Sequence, residues 1–403
     1  MDSATTTPAI PATAHLSPTT SFYLLASITV SFLAGSSAPT PLYPLYQRMW
    51  GFSPVTLTVI FGIYALAVLA ALLIAGRLSD HLGRRPVLIV AVLGQAFVML
   101  LFATAESVTG LMVARIVQGI TTGAAIGAVG AAMIDLDKAR GTLANAVVPP
   151  FGTAIGALVG GIFLQYLPDP THFVYAVLAA IFMAQVLGLK FMKESISARP
   201  GVLNSLKPHF SLPQATREPL LLALPILLAI WALAGFYGSL GPLLIRGMLS
   251  SYSPVAGGLP LFVLAASAGI AVLLLRKRAP RETMVVGAGS LLAGVALTVI
   301  ALPNDVVLFF LGTAVAGVGF GAGFQGAVRT VLPSAAAHER AGTLSLIFII
   351  SYLAMGLPAV VAGCMLAQHV GIIATAQDFC AVVMTLAAAA LIGSGVRSAT
   401  TRR

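Results

Sequence analysis

Few residues in this chain have the side chains that chemistry requires, so their positions are informative. Charged residues make up 8% of the 403 residues, and only 12 residues are Asp or Glu. Arg115 and Gln118 are three residues apart inside a long apolar stretch, while Asp80, Arg84 and Arg85 cluster in a short polar segment. A charge inside an apolar stretch is costly and predicts a functional role. The polar segment can form ion pairs at a membrane surface.

The apolar stretches around these residues predict membrane-spanning helices. Hydrophobic residues are 58% of the chain and the mean hydropathy is +0.99, which excludes an ordinary soluble domain with about 45–50% hydrophobic residues. Because a span needs about 20 apolar residues, we predict twelve of them. They lie near 21–45, 54–75, 86–105, 108–133, 141–166, 171–191, 219–245, 254–275, 283–303, 306–330, 341–366 and 372–394.

The longest polar stretch divides these spans into two sets of six. The predicted fold is an all-α integral membrane protein, with twelve transmembrane helices in two pseudo-symmetric six-helix bundles. Gly-Thr-Leu occurs at 141–143 and at 342–344, at the start of spans 5 and 11, as expected for duplicated halves. The predicted parts are a disordered cytoplasmic tail (1–20), an N-terminal bundle (21–192), a cytoplasmic linker (193–217), a C-terminal bundle (218–396) and a cytoplasmic tail (397–403).

The basic residues predict the orientation of the chain. All but three of the 22 Lys and Arg residues fall on one side of the predicted membrane; the exceptions are Arg48, Arg115 and Arg246. Since basic loops stay in the cytoplasm, both termini are predicted to be cytoplasmic, in a bacterial inner membrane. The net charge of +10 then reflects topology. No basic domain is present to bind nucleic acid.

The polar segment Gly76-Arg77-Leu78-Ser79-Asp80-His81-Leu82-Gly83-Arg84-Arg85-Pro86 lies between spans 2 and 3. Glycines permit tight backbone geometry, Asp80 can cap a neighbouring helix amino terminus, and the two arginines can pair with carboxylates. The segment resembles the loop signature of the major facilitator superfamily, Gly-x-Leu-x-Asp-x-x-Gly-Arg-Arg/Lys. The resemblance implies a conformational latch at Gly76, Asp80, Gly83, Arg84 and Arg85. The alternative is a charged turn that only fixes topology.

Two further motifs resemble patterns of the same family. Arg115-x-x-Gln118-Gly119 in span 4 is similar to a motif associated with proton coupling, although an arginine near the external end of a span can also extend to the headgroups. Span 5 carries Gly152-x-x-x-Gly156-Ala157-x-x-Gly160-Gly161. This pattern resembles the signature of drug–proton antiporters, with Ala157 in place of its proline, and it favours export over import. Glycines four residues apart also arise from tight helix packing.

An antiporter needs a group that binds and releases a proton. Among the twelve acids, only Asp378 is predicted to fall inside a span, so we group it with Arg115 and Gln118 as the candidates for proton coupling. The alternative for Asp378 is an acid at a helix end. The substrate cavity is predicted at Trp231, Phe236, Tyr237, Gln325 and Tyr352, which suit an apolar or weakly polar molecule. Ordinary aromatic packing is the alternative for each of these residues.

The sequence therefore predicts a monomeric transporter that exports small organic compounds, such as drugs or metabolites, by proton antiport and alternating access. Its partners are a small-molecule substrate, protons and the lipid bilayer, with no cofactor or metal. The alternatives are uptake by proton symport or facilitated diffusion and, in another class, a non-transporting membrane sensor or scaffold. An enzyme is not predicted, because no zinc-ligand spacing or Ser/His/Asp set lies within a span.

Overall fold

The computed structural model describes residues 15–208, 210–249, 253–336, 338–368 and 371–400. Within these residues twelve helices are long and apolar enough to cross a membrane, which confirms the predicted number. Spans 1 to 6 are Pro18–Trp50, Pro54–Ala75, Arg84–Ala103, Val108–Leu136, Lys138–Tyr166 and Pro170–Lys190. Spans 7 to 12 are Gln214–Met248, Pro254–Leu275, Pro280–Ala301, Val306–Ser334, Arg340–Ala367 and Ile372–Gly393.

Local sequence signals set where many of these helices begin. Side-chain oxygens accept a hydrogen bond from a backbone N–H in the first turn, at Ser17, Ser53, Ser107, Asp137 and Asp305. Proline is tolerated in the first turn, because the N–H that it lacks would be unpaired there. It occupies this position at the start of five spans: Pro18, Pro54, Pro170, Pro254 and Pro280.

Some predicted boundaries differ from the helix ends. Span 7 begins at Gln214, directly after Pro213, rather than at 219. Its 35 residues extend about 52 Å, which exceeds the apolar core of about 30 Å, so a polar turn continues the helix beyond the apolar stretch. A short helix, Val202–Ser205, lies in the predicted linker. The helix of span 12 continues to Thr400, into the predicted tail; residues 1–14 and 401–403 of the predicted tails lie outside the described residues.

The helices form the two predicted bundles, and several pairs of spans connect them. In the N-terminal bundle span 3 packs on span 6, span 2 on span 4, and span 1 on span 5; in the C-terminal bundle span 10 packs on spans 8 and 9, and span 7 on spans 11 and 12. The most extensive contacts between the bundles join span 5 to span 8 and span 2 to span 11. We call the end of the molecule that carries the segment 76–86 the motif end, and the other the opposite end.

Span 1 is interrupted before it reaches the opposite end. Helix Pro18–Ser37 stops, a 3-10 turn Thr40–Leu42 follows, and a second helix runs over Tyr43–Trp50. Pro39 has no N–H to donate to the carbonyl four residues earlier, that of Gly35. The interruption therefore frees carbonyl groups at the end of the first helix, inside the bundle.

Candidate functional site

Arg84 is the centre of a polar cluster at the motif end. Its Nε donates to Asp135 Oδ2 at 3.1 Å, its Nη1 donates to Ser79 Oγ at 2.8 Å, and the same nitrogen pairs with the Asp80 carboxylate. The arginine is only 8% exposed, whereas the Asp80 side chain is 49% exposed. Through this one side chain the loop is attached to the end of span 4.

The amino terminus of span 3 is capped from the linker, by Glu194. One carboxylate oxygen accepts the backbone N–H of Arg84 and the other that of Arg85, each at 2.9 Å. Gly83 stands at φ +99°, and a Cβ there would lie 2.8 Å from the Glu194 carboxylate, so only glycine fits. The expected capping role of Asp80 is thus filled by Glu194, while Asp80 pairs with Arg84.

Further hydrogen bonds hold the linker against the loop. Ser195 Oγ donates to Asp135 Oδ2 at 3.0 Å, and the backbone N–H of Arg199 donates to the His81 carbonyl at 2.8 Å. The Arg85 side chain donates to a backbone carbonyl, that of Lys190, rather than to a carboxylate as expected. Gly76 caps the end of span 2 and lies close to span 4. A Cβ on Gly127 of span 4 would lie 3.2 Å from the carbonyl oxygen of Gly76. All these partners belong to the N-terminal bundle or the linker.

Arg115 is buried in the N-terminal bundle and does not extend to the membrane surface, since it is 1% exposed. Its Nη1 donates to the Ser36 carbonyl at 2.9 Å and to Gln118 Oε1 at 2.7 Å, and its Nε donates to the Tyr43 hydroxyl at 2.8 Å. Gln118 Nε2 donates to the Gly35 carbonyl at 3.0 Å. The predicted pair thus binds the carbonyls that the interruption of span 1 leaves free.

The described contacts of the Arg115 guanidinium are all to neutral groups. Carbonyls at a helix carboxyl terminus carry partial negative charge and favour a cation. The guanidinium carbon also lies 5.3 Å from the ring centroid of Tyr64 and 5.5 Å from those of Tyr43 and Phe102. A helix end and three aromatic rings together stabilise this charge.

The glycines of span 5 allow close packing on two sides. Gly152, Gly156 and Gly160 face span 1, where a Cβ on any of them would collide with backbone atoms of Val30, Ala34 or Ala38. A Cβ on Gly161 would instead lie 3.1 Å from Val255 of span 8. The antiporter-like motif therefore packs span 5 onto span 1, and through its last glycine onto the other bundle.

The two bundles are joined at the opposite end. Thr40 Oγ1 donates to the Gly238 carbonyl at 3.3 Å, and Gln165 Oε1 accepts hydrogen bonds from Ser253 and Val255. Glycines bring the backbones close in the same region. A Cβ on Gly258 would collide with the Ala157 carbonyl, and one on Gly363 with the Thr58 side chain. This end of the interface is closed.

The residues predicted to line a substrate cavity separate into two groups. Trp231 lies at the interface, with Tyr352 beside it and Tyr64 of span 2 in the same cluster. Phe236 and Tyr237 are buried inside the C-terminal bundle: Phe236 stacks on Phe379 at a centroid distance of 4.7 Å, and the Tyr237 hydroxyl is 3.0 Å from Thr313 Oγ1. Gln325 Nε2 donates to the Val272 carbonyl at 3.3 Å, while its Oε1 is buried without a partner.

The described carboxylates lie at loops, helix ends or the outer surface. Asp378 is the seventh residue of span 12 and is exposed. Asp169 lies in the loop between spans 5 and 6, where a hydrogen bond with His172 lowers the pKa of its carboxyl. Within the described residues, the charged side chains that are buried are those of Arg84 and Arg115.

Several residues of these clusters were absent from the sequence predictions, among them Glu194, Asp135 and Tyr43. Glu194 is separated by 110 residues from its partner Arg84, and no local pattern connects such distant positions. The role of Tyr43 could have been inferred from the sequence. The prolines around it predict an interrupted helix, and the carbonyl groups at such an interruption need hydrogen-bond donors.

Together the twelve spans, their two bundles and the closed end define a polytopic helical membrane protein. The family model described as the Major Facilitator Superfamily matches residues 25–360. The chain therefore belongs to this superfamily, and the family and its homologues are transporters.

Three relatives illustrate the similarity. The multidrug resistance protein MdtG of Proteus mirabilis is 31% identical over 41% of this chain and 42% of its own length. The class C tetracycline resistance protein of Escherichia coli is 32% identical over 44% of this chain and 46% of its own. The chain thus matches less than half the length of these curated relatives. The crystal structure of the nucleoside transporter NupG superposes with a TM-score of 0.66 at 12% identity, over 95% of this chain and 99% of that one, which is a similarity of fold.

Proposed function

We propose that this protein exports small organic compounds across a bacterial inner membrane by alternating access, in exchange for protons. The observation that carries the proposal is the closure at one end. Spans of different bundles meet at the opposite end, while the Arg84 cluster at the motif end stays within the N-terminal bundle and the linker. Two bundles that rock about a site between them transfer access from one side of the membrane to the other.

The orientation of the protein in the membrane and the direction of transport are supported by separate observations. The loops of the motif end contain most of the basic residues, which favours a cytoplasmic position for that end. A solute then enters from the cytoplasm and leaves at the opposite end. The two curated relatives are named as multidrug and tetracycline resistance proteins, which supports export over uptake.

We assign to Arg115 and Gln118 the transmission of proton coupling to span 1, since neither side chain itself binds and releases a proton near neutral pH. Arg115 is bound by neutral acceptors beside the interruption of span 1, so a change of protonation or hydration near the guanidinium would act on the segment that reaches the closed end. The second candidate function is facilitated diffusion without protons. It is favoured by the positions of the described carboxylates, which lie at loops, helix ends and the outer surface.

Reconstitution in liposomes that contain a pH-sensitive dye tests the proposal. A proton gradient is imposed, and lipophilic drugs, sugars and organic acids are added one at a time. We expect proton movement that depends on a lipophilic compound and is lost in Arg115→Ala. Its direction distinguishes antiport from symport. Solute that equilibrates without any proton movement would contradict antiport and support facilitated diffusion.

A further inference from the structure

Four aromatic rings from three spans meet in the C-terminal bundle. Trp231 of span 7 lies 5.6 Å, between ring centroids, from both Phe320 and Phe324 of span 10, and 5.7 Å from Tyr352 of span 11. Phe320 and Phe324 are four residues apart and so share one face of their helix. We call these four residues the aromatic box.

The aromatic box adjoins the interface between the bundles. Tyr352 belongs to the same buried cluster as Tyr64 of span 2, and Trp231 and Phe61 pack against that cluster. Trp231, Phe320 and Phe324 are only partly buried, although each belongs to a helix that contacts others in the bundle. The exposed part of these aromatic side chains provides surface on which a flat solute can stack.

The indole N–H of Trp231 is buried and has no hydrogen-bond acceptor. A buried indole N–H usually has a partner, since leaving it unpaired is unfavourable. The other polar aromatic residue of this helix segment does have one, because the Tyr237 hydroxyl lies 3.0 Å from Thr313 Oγ1. The N–H has almost no exposed surface, so an acceptor reaches it only when a neighbouring side chain moves aside. A solute that places an acceptor atom there would supply the missing hydrogen bond.

The surroundings of the aromatic box provide no carboxylate to pair with a cationic solute, so a cation there would depend on the ring faces alone. The described carboxylates lie at loops, helix ends or the outer surface, and none is in the box. Arg115 is 1% exposed and its described donors bind Tyr43, Ser36 and Gln118. A charge that enters a membrane interior without a partner is strongly disfavoured.

We propose that the aromatic box binds an uncharged, planar aromatic substrate that offers a hydrogen-bond acceptor to the Trp231 indole N–H. The inference rests on the proposed function, because it names the class of compound that the transporter carries. The rings provide stacking surface and the indole provides orientation, so compounds with a flat ring system and one in-plane acceptor bind best.

The chain contains only two tryptophans, which allows a direct test. In purified Trp50→Phe protein the remaining tryptophan fluorescence comes from Trp231. Trp50 stacks on Tyr46 at the opposite end, and phenylalanine retains that contact. The probes are anthracene, acridine and N-methylacridinium, which share three fused rings. Anthracene has no hydrogen-bond acceptor, acridine has one, and N-methylacridinium carries a positive charge. At mildly alkaline pH acridine is uncharged, and we expect it to quench Trp231 at the lowest concentration.

Calorimetric titration of acridine into the variants then measures how much each residue of the aromatic box contributes to the binding affinity. Trp231→Phe keeps a ring but removes the donor, and we expect about 3- to 10-fold weaker binding. Phe320→Leu and Phe324→Leu each remove a stacking surface and should weaken binding by a similar factor. Phe163→Leu is the matched control: Phe163 forms an edge-on pair with Phe173 in the N-terminal bundle, and its loss should leave the affinity unchanged.

The outcomes separate this inference from the proposed function. Equal affinity for anthracene and acridine, or tighter binding of N-methylacridinium, overturns the substrate class. Export of acridine from liposomes without quenching of Trp231 overturns the site and leaves the transporter function standing. Quenching that follows the expected order, without transport of any compound, supports the site and contradicts the export proposal.

Discussion

The two ends of this molecule are held by different interactions. At the motif end a charged cluster around Arg84 joins the loop, span 4 and the linker, and its carboxylates are partly exposed. At the opposite end the two bundles meet through glycines such as Gly258 and Gly363, with backbone atoms of one span close to side chains or carbonyls of another. Ion pairs in contact with water contribute little net free energy, whereas close packing in a dry interior is sensitive to one added methyl group.

The comparison suggests a division of roles. Contacts of low net energy at the motif end can form and break during a transport cycle, and they lie inside one bundle in this structure. In the proposed alternating-access cycle, packing at the opposite end would set how tightly the bundles close. Substitutions at the two ends should therefore act differently, on the rate of switching at the motif end and on the position of the equilibrium at the opposite end.

The largest effect is expected from Arg115→Ala. This change tests whether the buried charge of Arg115, near the opposite end, is essential to the proposed transport cycle. The change leaves the Tyr43 hydroxyl, the Ser36 carbonyl and Gln118 without their donor. Hydrogen bonds to a charged group contribute about 1.5–3 kcal/mol each, so we expect transport to fall about 100-fold.

Uptake of labelled substrate into inverted vesicles measures the rate, and detergent gel filtration checks folding. Arg115→Lys, which keeps the charge but not the planar fork, should restore only part of the rate. Normal transport by a folded Arg115→Ala protein would remove this residue from the mechanism.

Gly258→Ala tests the packing at the opposite end. The new Cβ would collide with the Ala157 carbonyl, and overpacking costs about 1–3 kcal/mol, so the closed state should lose population about 10-fold. The reporter is Thr58→Cys in a chain lacking Cys364 and Cys380. Thr58 is fully buried beside Gly363, and maleimide should label it faster when the bundles separate.

Gly289→Ala is the control for that change. Gly289 lies within span 9 with open space where a Cβ would be, so alanine there should leave the labelling rate as it was. If both alanine variants label at the original rate, glycine packing does not determine closure at this end.

Glu194→Gln tests the cap that attaches the linker to span 3. Glutamine retains one acceptor but loses the charge that favours a helix amino terminus. It also loses one of the two backbone hydrogen bonds, from Arg84 or Arg85. We expect turnover about 10-fold slower with unchanged substrate affinity. Glu282→Gln, an exposed acid in the first turn of span 9, is the matched control. An equal effect of both variants would mean that surface charge, rather than the cap, sets the rate.

Asp80→Asn should have a smaller effect on the same property. The pair with Arg84 is half exposed on the Asp80 side, and Asp135 still binds the arginine. Since such pairs contribute up to about 1 kcal/mol, we expect turnover to slow about fivefold. Single-turnover and equilibrium binding measurements distinguish slower switching from weaker binding. Lys277→Gln, exposed in the loop between spans 8 and 9, should leave both unchanged. Full turnover in Asp80→Asn would reduce the segment 76–86 to a topology signal.

The sequence predicted the fold because apolar length and basic loops act locally along the chain. The motif between spans 2 and 3 and the motifs in spans 4 and 5 were also visible as local patterns. What could not be predicted is which side of a span faces the interface. Successive helix residues turn by about 100°, so Phe236 points away from Trp231 and packs inside the bundle. Phe320 and Phe324 carry no motif, and only packing against Trp231 places them at a site.

The smallest effect is expected from Asp378→Asn, which tests whether an acid at the opposite end takes part in proton coupling. The residue is exposed in span 12, and span 12 packs on spans 7 and 9 rather than on the N-terminal bundle. Exposed substitutions usually change stability by less than about 0.5 kcal/mol, so proton-linked transport should change by no more than about twofold. Dye-reported proton movement at several pH values, measured together with solute flux, provides the readout. If this variant moved solute but no protons, the proton path would run along the outer face of the C-terminal bundle. Coupling would then not depend on the Arg115 network, and the opposite end would contain two independent functions.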